Sequence, residues 1–285
     1  MIYSVDKDAS QVLEAVRSSG VIITPEHRNY VHFVITSLKG VGTWDSIKAL
    51  YGFIGGTAGG HKWNWKDVRD TDTAFRLIFP SGATHDSNGV LFNGTTQYAN
   101  THLNPSLVLV NPKTSVTLAL YINGGNGLGG QYPIVMGAQA NGAAGGSFGQ
   151  NETSLVVRGS TGFPGANQPT FIAAGETYTN NYAFYNDLFG NNCILGTTVD
   201  NKVKIFKNGE FKSESAPLNS SGTAAGDNIL IGACASSETG TGGIANSSYA
   251  NVRVPFALIG DGMTNAKAEK TSKIIQFSQS ILNRQ

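Results

Sequence analysis

The carboxylates of Glu210 and Glu214 come closest in this sequence to a pair of catalytic acids on one strand. They stand four positions apart, which at roughly 3.3 Å per strand residue is about 13 Å. Glycoside hydrolysis needs its two carboxyl groups about 5–5.5 Å apart for retention, or about 6.5–9.5 Å for inversion. This pair is too widely spaced for either reaction. We therefore predict no catalytic residues and a protein that is not an enzyme.

Two glycine-rich segments resemble phosphate-binding loops in sequence but lack features that such loops require. Gly125–Gly130 fits G-x-G-x-x-G, but a strand is predicted after it, whereas a dinucleotide site needs a helix there. Gly55–Lys62 has His61 where a phosphate-binding loop has its lysine. The histidines show no zinc spacing with cysteines or acids, which favours surface or capping roles: His27, His32, His61, His85 and His102. We expect no resident cofactor and no metal among the site residues.

A segment rich in asparagine and aromatic residues is the best candidate for a ligand site. Tyr185, Asp187, Asn191 and Asn192 combine a ring face with carboxylate and amide oxygens. Sugars suit this combination because their C–H faces pack on rings while their hydroxyl groups pair with amides. The same oxygens could serve Ca²⁺, which takes about six to eight oxygen ligands. The alternative is an ordinary turn whose aromatic side chains belong to the core.

The bulk composition argues against nucleic-acid and membrane partners. Lys and Arg number 20 against 19 Asp and Glu, a net charge of +1 with no basic field. No apolar run reaches the roughly 18 residues of a membrane span, and the first residues lack the basic and apolar regions of a signal peptide. Cys193 and Cys234 are too few for a disulfide framework. Two separate buried thiols are expected, with one bridge between them as the alternative.

Most of the chain after Ala74 has the alternation and the turn residues of short strands. Ser115–Ile122 alternates cleanly, with one face formed by Val116, Leu118, Leu120 and Ile122. Asn208-Gly209 predicts a type I′ hairpin turn, in which Lys207 faces Glu210 and Phe206 faces Phe211. Further strands are predicted at Phe75–Phe79, Val90–Asn93, Gln97–Thr101, Ile134–Ala138, Leu155–Arg158, Phe184–Phe189, Ile229–Ala233 and Val252–Leu258. Pro255 indicates an edge or a bulge in the last of these.

Helices are predicted at both ends of the chain. Two apolar stripes at helical spacing mark the first two helices: Ala9, Val12, Leu13 and Val16, then Val31, Val34, Ile35 and Leu38. Thr24-Pro25-Glu26 begins the second, because threonine caps free N–H groups and proline fits the first helical position. A third helix is expected from Thr43 to Ile54. Trp63 and Trp65 follow it and are expected to pack where helices meet strands, with an exposed platform as the alternative. A final helix runs from Asn265 to Leu282, with its apolar stripe at Ile274, Phe277 and Ile281.

Short regular strands with Gly and Asn turns favour a two-sheet antiparallel jelly-roll sandwich, mainly β, with a short helical N-terminal module and a C-terminal helix. Four segments resemble the concanavalin A-like lectin/glucanase superfamily in its laminin-G-like (LamG) form: Gly89–Asn100, Ser115–Ile122, Val203–Gly209 and Ile229–Ala233. The first is similar to the early F-(D/N)-G-x-x-x-Y strand pair and the third to the (L/V)-Y-x-N-G hairpin. The resemblance implies rim loops that bind sugars or proteins, in some members through Ca²⁺. The glucanase Glu-x-Asp-x-(x)-Glu strand is absent.

The two ends of the chain carry a narrower resemblance. Lys39–Asp45 and Lys62–Lys66, together with Phe256–Thr264 and the final helix, are similar to virion structural proteins of tailed bacteriophages. That resemblance implies a virion location after assembly in the host cytoplasm, other virion proteins as partners, and a homo-oligomer such as a trimer. We expect residues 1–66 to form a helical anchoring module and residues 67–285 a LamG-like sandwich that displays a glycan-binding surface. The alternatives are a stand-alone bacterial lectin and, with less support, a glycoside hydrolase.

Overall fold

The computed structural model describes residues 6–80, 82–111, 114–124, 134–139, 152–157, 169–172, 182–184, 191–218, 226–235 and 249–285. Within these ranges the chain is mainly antiparallel β, with helices at both ends, and the predicted fold class is confirmed. The helices are α1 (Lys7–Ser18), α2 (Pro25–Gly40), α3 (Ala58–His61), α4 (Pro105–Val108) and α5 (Asn265–Ile281). None of the described helices is both long and apolar enough to cross a membrane.

The strands form two large sheets and one small sheet. The strands are β1 (Ile47–Tyr51), β2 (Thr84–Asp86), β3 (Gly89–Leu91), β4 (Ala99–Asn100), β5 (Val116–Ile122), β6 (Ile134–Gln139), β7 (Glu152–Val157), β8 (Pro169–Ile172), β9 (Tyr182–Phe184), β10 (Asn192–Val199), β11 (Lys202–Lys207), β12 (Glu210–Glu214), β13 (Leu230–Ile231), β14 (Cys234–Ala235), β15 (Arg253–Val254) and β16 (Phe256–Gly260). The first sheet has the order β1-β16-β5-β10-β11-β12, and the second has β4-β13-β6-β7-β8-β9 with β14 beside β6. The small sheet is β15-β3-β2. Pro255 lies where the chain leaves β15 and enters β16, so its missing N–H falls at a break between sheets.

The central strand β5 shows why the molecule has three layers. Its Val116, Leu118, Leu120 and Ile122 belong to the core between the two large sheets, as the alternation predicts. Its other face, with Ala119 and Tyr121, is equally buried, but in a second core beneath the helices. The sandwich is therefore covered on one side by a helical layer. Alternation identified the two faces correctly but could not show that both are buried.

The helical layer consists of α1, α2 and α5. The predicted apolar stripes of α1 and α2 are buried, and both pack into the core shared with the first sheet. Thr24 caps α2 as expected, and His27 completes the capping box by accepting from the Thr24 backbone N–H. Asp6 caps α1 and pairs with Lys39 at the far end of α2 at 2.7 Å. The predicted division at residue 66 stays a prediction.

The third predicted helix is wrong. Only one turn of 3₁₀ helix forms at Trp44–Ser46, and Ile47–Tyr51 is strand β1, paired antiparallel with β16. The apolar spacing of Ile47, Leu50 and Ile54 suited a helix, but Ile47 and Leu50 reach the helix-facing core from a strand and Ile54 from the irregular segment after it. A shift in register between Ile47 and Ala49 puts Ile47 on the same face as Leu50, while Ala49 and Tyr51 face the core between the sheets. Strand pairing therefore overrode the local periodicity.

The face that α5 buries differs in part from the prediction, since Ile274 and Ile281 pack against the helix-facing core but Phe277 does not. Phe277 is 58% exposed and packs against the ring of Phe33. The buried face is instead small and polar: Ala268, Thr271, Ser272, Ile275, Ser278 and Gln279. Most of their polar atoms find partners inside: Ser272 Oγ accepts from the Gly209 N–H at 2.8 Å and Gln279 Nε2 donates to the Tyr30 hydroxyl at 3.2 Å, although Gln279 Oε1 has no partner among the described residues. Satisfied hydrogen bonds allow a polar face to be buried.

The hairpin prediction is confirmed. Lys207 faces Glu210 and Phe206 faces Phe211, with the two rings 5.6 Å apart. Asn208 and Gly209 both have positive φ, 53° and 81°, as a type I′ turn requires. By contrast, Phe75–Phe79 is not a strand, because Phe75 has a left-handed φ of 59° and only Ile78 bridges to Asn100.

We predict that Gly52→Ala lowers the free energy of unfolding by about 1–3 kcal/mol, as overpacking does. A Cβ at Gly52 would lie 2.1 Å from ring carbons of Trp65, which is 3% exposed and cannot retreat. Chemical denaturation followed by circular dichroism measures the change. The matched control is Gly40→Ala at the end of α2, where a Cβ meets nothing within 4 Å. That variant should be neutral or up to about 1 kcal/mol more stable, and equal effects at both positions would contradict the packing argument.

Candidate functional site

The structure describes two of the four predicted site residues. Tyr185 and Asp187 lie outside the described residues, so their placement stays a prediction. Asn191 is exposed immediately before β10, and Asn192 is the half-buried first residue of that strand. These two neighbours therefore lie at one end of the first sheet.

Other amides from distant parts of the chain meet at the same end of the sheet. Asn192 pairs with Ile122, the last residue of β5, so Asn123 follows directly beside it. Asn208 in the β11–β12 turn donates to Asn192 Oδ1 at 2.8 Å. Gln276 of α5 accepts from the Cys193 N–H at 3.1 Å. We call this group the amide rim: Asn123, Asn191, Asn192, Asn208 and Gln276.

Hydrogen bonds between described residues fix the inner part of the amide rim. Asn208 Oδ1 accepts from the Cys193 N–H at 2.8 Å, and Asn123 Nδ2 donates to the Arg284 carbonyl at 2.7 Å. The Asn191 side chain makes no hydrogen bond to any residue that the structure describes. Amides carry both donors and acceptors, so the rim offers uncharged groups suited to hydroxyl-rich ligands. Sequence reasoning missed Asn123, Asn208 and Gln276, because only strand pairing and the packing of α5 bring them together.

Both carboxylates of strand β12, Glu210 beside the amide rim and Glu214 at the other end of the strand, are paired with lysines. Glu210 accepts from Lys212 at 2.8 Å, and Glu214 forms an ion pair with Lys202. The hydrogen bond from Lys212, helped by the charges of Lys273 and Lys207, lowers the pKa of Glu210. A carboxyl group held ionised in this way is a poor proton donor at neutral pH. Both acids are exposed on the edge strand β12.

The histidines depart in part from the predicted surface and capping roles. His27 is a capping residue, as expected. His61, in contrast, is buried, and its Nδ1 lies 3.0 Å from Nδ1 of His85. No cluster of three or more His, Cys, Asp or Glu side chains that could hold a metal occurs among the described residues. Trp63 and Trp65 are buried beneath the helices, so the packing alternative is correct for both.

The fold is similar to parts of larger solved structures. A sialidase from Trypanosoma rangeli, solved with 2,3-difluorosialic acid, aligns over 98% of this chain and 39% of its own, at 14% identity and a TM-score of 0.53. The binding domain of botulinum neurotoxin serotype D aligns over 83% of this chain and 52% of its own, at 10% identity and a TM-score of 0.51. No family model matches the chain, and no curated protein matches its sequence.

These similarities define the class of fold. At such low identity they show a β-sandwich, and this chain spans well under two thirds of each solved chain. The sandwich carries an uncharged amide rim at one end of its first sheet.

The two cysteines are free and buried, as predicted, and do not form the bridge that was the alternative. Burial raises the pKa of Cys193 to about 12, and its sulfur accepts a hydrogen bond from Ser272 at 3.4 Å. Only the thiolate is nucleophilic, so such a thiol is inert at neutral pH.

We therefore predict that protein purified without reductant yields no reactive thiols at about pH 8 in the native state and two per chain after unfolding. Titration with a chromogenic disulfide reagent measures both numbers. Cys193→Ala should leave one thiol after unfolding. A count of zero in the unfolded wild type would instead establish a bridge.

Proposed function

We propose that this chain is a non-catalytic glycan-binding sandwich displayed on a bacteriophage particle. The observation that carries the binding part is the amide rim, where five amide side chains meet at one end of the first sheet and that of Asn191 is exposed. Amide donors and acceptors pair with sugar hydroxyl groups without the desolvation penalty of charged side chains. The helical layer covers the outer face of the first sheet, which favours the rim as the binding surface.

The solved structures support this proposal through their fold. One belongs to an enzyme that holds a sialic acid derivative, and the other is a toxin binding domain. Binding without hydrolysis is favoured by the paired, ionised state of Glu210 and by the absence of a second acid at catalytic spacing along β12. The predicted contributions of Tyr185, Asp187 and Ca²⁺ belong to the proposal, since both residues lie shortly before Asn191 in the chain.

The particle part of the proposal rests on the resemblance of the lead-in and tail segments to virion structural proteins. Attachment to a particle would make weak contacts sufficient, because many linked sites raise the overall avidity. Capsid decoration, a head fibre and a tail component are the locations that such proteins occupy. A stand-alone bacterial lectin is the second candidate, favoured by the same amide rim without any need for assembly.

We predict that the chain binds one or more immobilised glycans and that Asn191→Ala weakens binding about fivefold. Losing one side-chain hydrogen bond costs about 1 kcal/mol, which corresponds to that ratio. A glycan array identifies the ligand, and titration calorimetry on the best glycan measures the change. Asn191 is exposed, so the variant should keep the stability of the wild type.

The matched control is Asn111→Ala. Asn111 is also exposed, but it precedes β5 and so lies at the opposite end of this strand from Asn123. Its replacement should leave the affinity unchanged. Equal losses at both positions, or no glycan bound by the wild type, would contradict the amide rim as the site. Release of free sugar during the titration would contradict the non-catalytic part.

A separate measurement tests assembly. We predict that the purified chain is an oligomer, such as a trimer, in size-exclusion chromatography with light scattering, because multivalent display requires linked copies. Its mass should then be a whole multiple of 30.0 kDa. A monomer at all concentrations that still binds glycans would favour the stand-alone lectin over the particle protein.

A further inference from the structure

A buried histidine pair lies beside the end of β1. His61 is 1% exposed, and its Nδ1 lies 3.0 Å from Nδ1 of His85 in β2. The backbone N–H of Gly56 donates to the other ring nitrogen, Nε2 of His61, at 3.1 Å. Both nitrogens of His61 are therefore engaged.

The hydrogen bonds define the protonation state of the pair. A backbone N–H can only donate, so Nε2 of His61 must carry a lone pair and Nδ1 must carry the proton. That proton is donated to Nδ1 of His85, which in turn must be unprotonated. One more proton on either of these two acceptors places two N–H groups face to face. The pair is thus satisfied only when both rings are neutral.

The segment that His61 holds has unusual backbone geometry. Phe53 has a φ of 42°, and Gly55 and Gly56 have φ of 94° and 68°. A bulky residue in the left-handed region is strained and persists only when its surroundings hold it there. The Gly56–His61 hydrogen bond is one such restraint.

Arg284 supplies the other restraint on the same segment. Its buried guanidinium donates to the Phe53 carbonyl at 2.7 Å and more weakly to the Gly52 carbonyl at 3.3 Å. It also donates to the Ser87 carbonyl at 2.7 Å and to the Pro255 carbonyl at 3.4 Å. The residues that follow α5 are held on the sandwich by this side chain.

The charges around the pair are mostly positive. Arg284 faces it from beyond α5, and the same guanidinium acts on His27 and lies 5.8 Å from the ring centroid of Tyr30, both in α2. Asp86 of β2 is an anion near His85, but it is bound by Arg253 of β15 at 2.6 Å. Phe53 and Phe79 pack edge-on against the two imidazole rings. A proton added to the pair would find little to neutralise it.

We propose that the His61–His85 pair is an acid-sensitive latch. When it is neutral, it holds Gly52–Gly56 and Arg284 against the sandwich. Protonation breaks the contact to Gly56 or the contact between the rings and adds a positive charge beside Arg284. The strained segment and the residues after α5 then separate from the sandwich, while the sheets stay folded.

The direction of the pH effect follows from the histidine pKa values in the closed and the open state of the latch. Burial, with the charges of His85 and Arg284, places the pKa of His61 well below 6.5, and burial also lowers the pKa of His85. In the open state each ring returns to the ordinary value of about 6.5. The closed state of the latch therefore has its full stability above about pH 6.5. It loses stability as the pH falls below that value. For one proton taken up on opening, the opening constant rises about tenfold per pH unit.

Hydrogen exchange with mass spectrometry at about pH 7.5 and about pH 5 tests the latch across the ordinary histidine pKa. After correction for intrinsic exchange, peptides covering residues 52–61 and 276–285 should lose protection together, by about tenfold or more. The hairpin peptide at residues 202–214 should keep its protection. Loss in all three peptides would mean global acid unfolding, and no loss in any of them would mean no latch. Either result would overturn the proposal.

Three variants make the test specific. His61→Gln provides an acceptor for Gly56 and a donor for His85 but does not titrate itself, so only His85 can still take up a proton and acid-induced opening should move to lower pH. Where this variant fails to fold, His85→Gln removes the more exposed of the two acceptors and should move opening to lower pH. The matched control His32→Gln, half-exposed on α2, should open like the wild type. Opening that is unchanged in both His61→Gln and His85→Gln would overturn the latch.

Discussion

The burial of one guanidinium constrains the arrangement of the whole molecule. Arg284 is 1% exposed, and its donors are met by four backbone carbonyls from the end of β1, the β2–β3 turn and the junction before β16. A buried charge is tolerated only when hydrogen bonds replace its hydration. Three segments must therefore present carbonyls to one point, and Phe53 adopts left-handed backbone where it does so. The position of α5 against the sheet follows from the same requirement.

The helical layer decides which surfaces are open to a partner. Because α1, α2 and α5 cover the outer face of the first sheet, side chains there pack inside the protein. The ends of the sheet stay accessible, and at one of them the amide rim collects uncharged donors and acceptors. Its inner amides are fixed by the Cys193 backbone and by each other. Such preorganisation lowers the entropic cost of binding. Rigidity of the rim and exposure of Asn191 are therefore consequences of the same packing.

Local interactions could be predicted from the sequence, and long-range ones could not. The Asn208-Gly209 turn is encoded by two adjacent residues that tolerate positive φ, and the register of its hairpin follows. Strand β1 was mistaken for a helix because its partner β16 is about 200 residues away in the chain. The buried face of α5 was misassigned because hydroxyl and amide groups look exposed until their partners are known. Asn191 and Asn192 were identified from composition, whereas Asn123 and Gln276 join them only through pairing and packing.

A hydrogen bond between Asn123 and Arg284 connects the amide rim to the histidine latch. Asn123 of the rim donates to the backbone carbonyl of Arg284 at 2.7 Å, and the side chain of that arginine holds the segment controlled by His61. Opening the latch would remove the partner of Asn123 and loosen the end of β5. If a glycan requires the ordered rim, it binds the state with the closed latch better. Glycan binding must then in turn oppose protonation of the histidine pair. This reciprocity is a thermodynamic requirement for two coupled sites. The two proposals therefore jointly imply that acid weakens glycan binding without any titrating group in the rim itself.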